Sequence, residues 1–437
     1  MEILLYLGGV VFMLIGLGLS IGLHEVGHLV PAKLFGVRVG QYMIGFGPRL
    51  WSKRIGETEY GFKALPLGGF ISMSGMYPPS AKSSPARGVF SSLVQDARTA
   101  NDETIAEGEE DRVFYRLPVW KRVIVMLGGP AMNFVLAIAI FTVMASGIGI
   151  QQASTTVSSV TECVLPAGTT QQTCTADDPA APAAEAGVES GDVLVSVGGE
   201  KVQTFADASA IIQRSPGEPL DLVVDRGGKT VELTLTPVAA ERGEVDAEGR
   251  PVLDDAGKPV TRTVGYAGIV SQQEYVPQPI GTGAELAVQQ TGAVASLVIN
   301  LPAKLWDVGV SLVTGSERDP NGPLSVVGVG RLAGEVAATD APVLNRLVVL
   351  MNLLAALNIA LFVFNLIPLL PLDGGHIAVA LWEGVKRAWA KLTRRGAPKP
   401  VDATRLVPVT VIVAVLLIGM GGLLIVADLV RPMNLLG

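Results

Sequence analysis

His24-Glu25-Val26-Gly27-His28 sets two imidazoles four residues apart. On a helix that spacing puts both rings on one face, where two nitrogens can meet one metal ion. Glu25 then stands beside the metal as a base and not as a ligand, the H-E-x-x-H pattern of metal-dependent peptide hydrolysis. The chain has three histidines and two of them fall here. The plain alternative is a pair of helix histidines hydrogen-bonded to polar neighbours.

The surroundings sharpen the choice. Residues 3–23 carry no charge, and a run of roughly 20 apolar residues crosses a bilayer. Ionisable groups at membrane depth are functional by default, because each costs at least ~2.5–3.5 kcal/mol to insert. Water-requiring chemistry is therefore expected inside a membrane span. The span lacks a basic start and a small-residue cleavage site and carries the metal motif, so it is expected to remain in the mature protein. The whole chain, 437 residues and 49% hydrophobic, reads as a polytopic α-helical membrane protein with room for one soluble domain. A net charge of -7 argues against nucleic-acid binding.

In chain order, the first span (1–30) leads into 31–77, where alternation broken by glycines between Tyr42 and Met73 predicts short strands in hairpins. This is either a soluble sheet or a sheet against the active site, with an edge open to an extended peptide. Residues 78–119, with Glu107-Gly108-Glu109-Glu110-Asp111, read as a flexible cytoplasmic loop. A second span (120–150) holds Gly128-Gly129-Pro130-Ala131-Met132-Asn133, small residues that permit close helix approach. Asn133 is open to two roles, joining helices or standing beside the site. Residues 151–285 predict an α+β module of PDZ-like order: strand and turn at Val195–Gly199, helix at Ala206–Gln213, strands at Leu220–Asp225 and Thr230–Thr236. Cys163 and Cys174 precede it; they form a disulfide if that side is oxidising and stay free thiols otherwise.

Residues 286–345 predict interfacial helices, and 346–376 a third span holding Asn352, Asn358 and Asn365. Pro368 and Pro371 must interrupt it ahead of Leu372-Asp373-Gly374-Gly375-His376. Irregular backbone at that depth lines protein or a wet cavity, which makes Asp373 the expected third ligand. A helix-capping Asp at the membrane surface is the alternative. His376 is the rival ligand, ranked second, with a supporting or surface role expected. A basic loop (377–405) and a fourth span (406–430) complete the chain. Lys33, Arg38, Lys53, Arg54, Lys121 and Arg122, with Lys386, Arg387, Lys391, Arg394, Arg395 and Lys399, put the two basic loops in the cytoplasm, and both termini and residues 151–345 outside.

Together these features resemble the site-2 protease family of intramembrane zinc metalloproteases, most closely bacterial RseP-like members with a PDZ domain between the second and third spans. The resemblance rests on His24-Glu25-x-x-His28, Gly129-Pro130-x-x-Asn133 and Asn365-x-x-Pro368 leading to Leu372-Asp373-Gly374. It implies a zinc ion held by His24, His28 and Asp373, with Glu25 as catalytic base. Asn365 would steady an unwound substrate, and residues 42–73 would be the membrane-associated β-loop. It further implies a multi-pass protein of the cell membrane that cleaves single-pass membrane proteins, such as anti-sigma factors or remnant signal peptides, after an upstream site-1-type protease has trimmed them. Two features depart from the pattern: one PDZ-like module where some relatives have two, and Pro371 one residue later than in many. Two other function classes share the same ligands. A zinc transporter or sensor needs no Glu25; a membrane-tethered peptide-binding scaffold with a structural metal needs a fourth ligand, for which His376 is the candidate.

Overall fold

The computed structural model describes residues 1–78, 89–106, 108–164, 173–175, 178–243, 252, 260–396 and 401–433. Residues 79–88 and Glu107 of the expected 78–119 loop, and Lys399 of the basic run, lie outside the described residues. The chain divides into two compact units, residues 1–147 with 279–437 and an inserted unit of residues 148–278.

The first unit opens with α1 (Glu2–Leu34), β1 (Val39–Ile55), β2 (Thr58–Met73), α2 (Val89–Asp102) and α3 (Val119–Thr142), which closes in a π turn. α1 outruns the expected span, so the metal motif lies inside an uninterrupted helix. β1 and β2 are longer than the short strands expected, and they fold back on one another. Tyr42 is registered with both Ile71 and Tyr60, and Met43 with both Phe70 and Gly61. The far end exposes Phe46, Leu50, Trp51, Ile55, Phe62 and Leu65. Tyr42 donates to the Gly22 carbonyl at 2.7 Å, tying the sheet to α1.

The expectation of a flexible loop at 78–119 needs correction. α2 occupies 89–102 and is pinned through its C-terminal half. Asn101 exchanges two hydrogen bonds with the Tyr77 backbone, at 2.9 and 3.0 Å, and Arg98 pairs with Asp402 at 2.7 Å. Its Ser, Asp and Thr content hides a helix that these tertiary bonds help to hold in place.

The inserted unit comprises β3 (Ile150–Val160), α4 (Pro182–Glu185), β4 (Val193–Val197), β5 (Glu200–Lys201), α5 (Phe205–Arg214), β6 (Leu220–Arg226), β7 (Lys229–Leu235), β8 (Val238–Gly243), β9 (Thr261–Tyr266) and β10 (Ile269–Val276). Its main sheet runs β10-β3-β4-β6-β7, with β5 on β4 and a separate β8–β9 pair. Leu194, Val197, Leu222, Val224, Leu235 and, from α5, Ile211 and Ile212 form its core. Thr204 and Asp207 make a reciprocal cap that starts α5. Gly227 and Gly228 both take positive φ, which the two-residue β6–β7 turn requires. Cys163 and Cys174 are disulfide-bonded.

After the insertion come α6 (Thr282–Ile299), α7 (Leu301–Thr314), α8 (Val326–Ala338), α9 (Val343–Asn365), α10 (Asp373–Leu392) and α11 (Val407–Val430). Among the described residues four helices are long and apolar enough to cross a membrane: Glu2–Leu34, Val119–Ile148, Val343–Asn365 and Ala403–Val430. α6 and α7 meet at a bend of 66° and would together pass as a fifth. Of the interfacial helices expected over 286–345, the first is a bent pair, and α6 packs Leu286, Ala287 and Val294 with Phe141, Met144 and Ile359. The third helix ends at Asn365, earlier than expected. The region expected as a basic loop at 377–405 is helical through Leu392, because an apolar stripe runs between its cations.

Small residues let the spans approach. A Cβ on Gly16 would strike Leu354 of α9 at 2.7 Å, and one on Gly9 would sit on the Ala333 backbone and Ala337 side chain of α8. Pro31 cannot donate to the Gly27 carbonyl, and Gly128 of α3 passes over that carbonyl with no room for a side chain.

Outside the spans, one buried charge tests the inserted unit. Asp192 is fully buried, accepts the Glu189 N–H at 2.9 Å and receives two bonds from Arg226, each 2.8 Å. The Arg226 guanidinium holds its carboxyl below the usual carboxylate range. The stability this contributes is complete above the unfolded value of about 3.9 and is lost as pH falls through the depressed folded value. Arg226→Met is expected to destabilise this unit, because it leaves the buried Asp192 carboxylate without its charged partner. Faster hydrogen exchange at the β4–β6 amides at pH 7, with a smaller penalty near pH 3, is the expected result.

Candidate active site

α1 presents His24 and His28 on one face, and α10 begins at Asp373. The His24 and His28 Nε2 atoms are 3.2 Å apart. Asp373 Oδ2 lies 3.3 Å from the first and 3.4 Å from the second. Among the described residues these three form the group able to hold a metal. The sequence separates them by more than three hundred residues; the loop after α9 brings Asp373 back. That loop is tight. Cβ atoms on Gly374 and Gly375 would collide with the backbone of residues 366–370, so only glycine lets the first turn of α10 close there.

The protons on both imidazoles are fixed from outside. His28 Nδ1 lies 2.7 Å from the Val125 carbonyl, which can only accept, so Nδ1 carries the proton. For His24 the direction is set by a relay. Ser20 donates to the Gly16 carbonyl at 2.8 Å, and Asn358 Nδ2 donates to Ser20 Oγ at 2.9 Å. Asn133 Nδ2 then donates to Asn358 Oδ1 at 3.0 Å, leaving Asn133 Oδ1 to accept from His24 Nδ1 at 2.6 Å. Ser20, Asn133 and Asn358 are all fully buried. With Nδ1 holding the proton, each neutral ring aims its Nε2 lone pair at the same point as a carboxylate oxygen.

That crowding fits a cation. Asp373 Oδ2 is buried without a hydrogen-bond partner. Zinc bonds of about 2.0–2.1 Å in a tetrahedron give ligand–ligand edges of about 3.3 Å, the spacing of these three atoms. Gly129 of α3 keeps the space clear: a Cβ there would lie on His28 Nε2 and 2.7 Å from His24 Nε2.

Glu25 is 8% exposed and has no hydrogen-bond partner among the described residues. A Cβ on Gly69 of β2 would lie 3.0 Å from Glu25 Cγ and 3.2 Å from its Oε1, so the strand passes directly over the carboxylate. Asp373 is the first residue of α10 and makes no capping bond, against the helix-cap alternative. His376 is not in the ligand group; its ring stacks on Tyr77 with centroids 6.2 Å apart. Asn365 is not joined to the cluster by any hydrogen bond; its amide donates to the Leu361 carbonyl of its own helix at 3.0 Å.

A family model, peptidase family M50, matches residues 12–397. The chain belongs to this family, that of the site-2 proteases. It is 33% identical over 447 residues to the zinc metalloprotease Rip1 of Mycobacterium tuberculosis, covering 99% of this chain and all of that protein. The Rip1 of Mycolicibacterium smegmatis is 33% identical over 438 residues, 98% of each chain. The metalloprotease MmpA of Caulobacter vibrioides is 28% identical over 395 residues, 86% of this chain and 87% of that one. The M50 protein is thus a zinc metalloprotease of the membrane, of site-2 type.

The sequence points to Asn133 without choosing its role, and it gives no sign of Ser20 or of the Val125 carbonyl. Asn358 is visible there only as one of three asparagines in a span. Asn358→Leu breaks the relay one residue short of His24 and is expected to weaken zinc binding by about 10–100-fold, the usual cost of losing a partner behind a histidine ligand. Gly129→Ala should leave the purified protein with little zinc. Elemental analysis and chelator competition check both.

Proposed function

We propose that the M50 protein hydrolyses peptide bonds within the transmembrane segments of single-pass membrane proteins, with His24, His28 and Asp373 as zinc ligands and Glu25 as general base. The observation that carries this is the convergence of two imidazole Nε2 atoms and a buried carboxylate oxygen without a hydrogen-bond partner beside a buried, unbonded glutamate. Three protein donors leave a coordination position for chemistry, where a structural site would have a fourth. When bound, zinc supplies Lewis acidity and brings the pKa of water from 15.7 down to about 7.

Glu25 takes the proton of the attacking water and returns it to the departing amine. A helical substrate hides its carbonyls in its own hydrogen bonds and must first unwind. Residues 69–73 of β2 pair with β1 on one side only, and Gly69 adjoins Glu25, so the free edge offers backbone groups to an extended substrate next to the base. Asn365 keeps its carbonyl oxygen and one amide N–H for that substrate. The exposed apolar end of the β1–β2 sheet suits contact with lipid.

The basic flanks of the spans favour the cytoplasm for residues 31–122 and 377–405, in the cell membrane, with both termini and the inserted unit outside. A disulfide in the inserted unit accords with an oxidising compartment. We read that unit as a PDZ-like gate that admits substrates already trimmed by a site-1-type protease. Anti-sigma factors and remnant signal peptides are the substrate classes proposed.

Glu25→Gln should retain zinc and lose cleavage of a tagged transmembrane substrate by at least about 10²-fold, the scale of general-base catalysis. Cleavage at the wild-type rate would end the mechanism. Deleting residues 180–240 should allow an untrimmed substrate to be cut; an unchanged substrate range would reject the gate.

A further inference from the structure

The helix that begins at Asp373 has two faces with different company. One face is buried through Ala380, Glu383 and Ala390. Glu383 pairs with Arg122 of α3 at 2.9 Å and with Arg387 on its own helix. The other face carries Leu381, Trp382, Val385, Trp389 and Leu392, which are 52–78% exposed. These recur every three or four residues and make one continuous apolar stripe. Lys386, Lys391, Arg394 and Arg395 accompany it and have no acidic partner among the described residues.

The level of this stripe along the spans is fixed by α3. A Cβ on Gly384 would lie 3.3 Å from Val119, the first residue of that span, next to exposed Trp120. Trp and Lys at a span end mark the membrane boundary. The outer half of α10 therefore emerges at the boundary with an uncovered tryptophan-bearing stripe and unpaired cations. Trp120 and Ile124 of the adjoining span are exposed in the same way, and lipid is what covers a span.

We propose that Leu381–Arg395 is a binding site for anionic phospholipid, the stripe lying in the acyl–headgroup boundary and the four cations meeting lipid phosphates. An interfacial helix of this kind joins apolar burial to charge attraction, and each basic residue near an anionic leaflet is worth about a fivefold preference. A neutral surface would leave the cations unanswered, and a soluble acidic partner would leave the apolar stripe wet. Asp373 belongs to the same helix, so the lipid seat also holds the segment that carries the proposed ligand. That last consequence rests on the function proposed above; the lipid site itself does not.

The test uses the full chain in bilayers. Trp51→Phe, Trp120→Phe, Trp306→Phe and Trp382→Phe leave Trp389 as the sole tryptophan. Brominated phosphatidylglycerol should quench Trp389 more than brominated phosphatidylcholine at equal mole fraction, and Lys386→Glu, Lys391→Glu, Arg394→Glu and Arg395→Glu together should abolish the difference. Equal quenching by both lipids would overturn the anionic preference, and no quenching by either would overturn the lipid seat. If the tryptophan variants do not fold, photoactivatable phosphatidylglycerol on the wild-type protein answers the same question. Label within residues 381–395 supports the site; label absent there, or cross-links to a second copy through Trp389, refutes it. None of these readouts depends on proteolysis.

Discussion

Two imidazole Nε2 atoms and a carboxylate oxygen converge on one spot, 3.2–3.4 Å from one another. With both rings neutral, that arrangement is repulsive unless a cation sits among the three. The surrounding polar contacts act to impose it. A backbone carbonyl fixes one histidine, and a one-way chain of hydrogen bonds fixes the other, donated from His24 through Asn133, Asn358 and Ser20 to the Gly16 carbonyl. The bilayer makes the chain rigorous, because a buried amide with an unmet donor has no water to turn to. Polar residues on three spans thus lock helix packing and histidine tautomer together.

The same constraint explains the glycines. Helices in lipid gain little from burying apolar side chains and associate through close packing. Gly27 against Gly128 brings α1 and α3 into backbone contact, and Gly129 in the next position keeps the space in front of both histidine Nε2 atoms open. A span built for packing and a span built for the site are here one sequence.

Much of this is legible in the residues alone. His24, His28 and Glu25 are a local pattern on one helix, and Asp373 stands out because prolines and a charge at membrane depth demand a reason. The four helices long and apolar enough to cross a membrane follow from apolar length. What escapes are contacts without a local signature. The Val125 carbonyl has no side-chain identity, and Asn358 matters only through a neighbour 225 residues away. The helix at 89–102 reads as loop because Asn101 and Arg98, which help to hold it in place, reach distant partners. The helix after Asp373 reads as loop when its cations are counted and the stripe between them is not. The strands matching β4, β6 and β7 of the inserted unit can be traced in the sequence, but β3, β5, β8, β9 and β10 are not, and the unit ends near residue 278 and not 285, since α6 starts at Thr282.

The proposed chemistry requires a zinc ion among His24, His28 and Asp373 that takes no further protein ligand. Zinc-edge X-ray absorption on the purified wild-type protein, set beside Asp373→Asn and His376→Ala, is the sharpest test of it. Two imidazoles with light oxygen donors are predicted, with the shell disrupted by Asp373→Asn and untouched by His376→Ala. A third imidazole that disappears with His376→Ala, or a shell indifferent to Asp373→Asn, would contradict it.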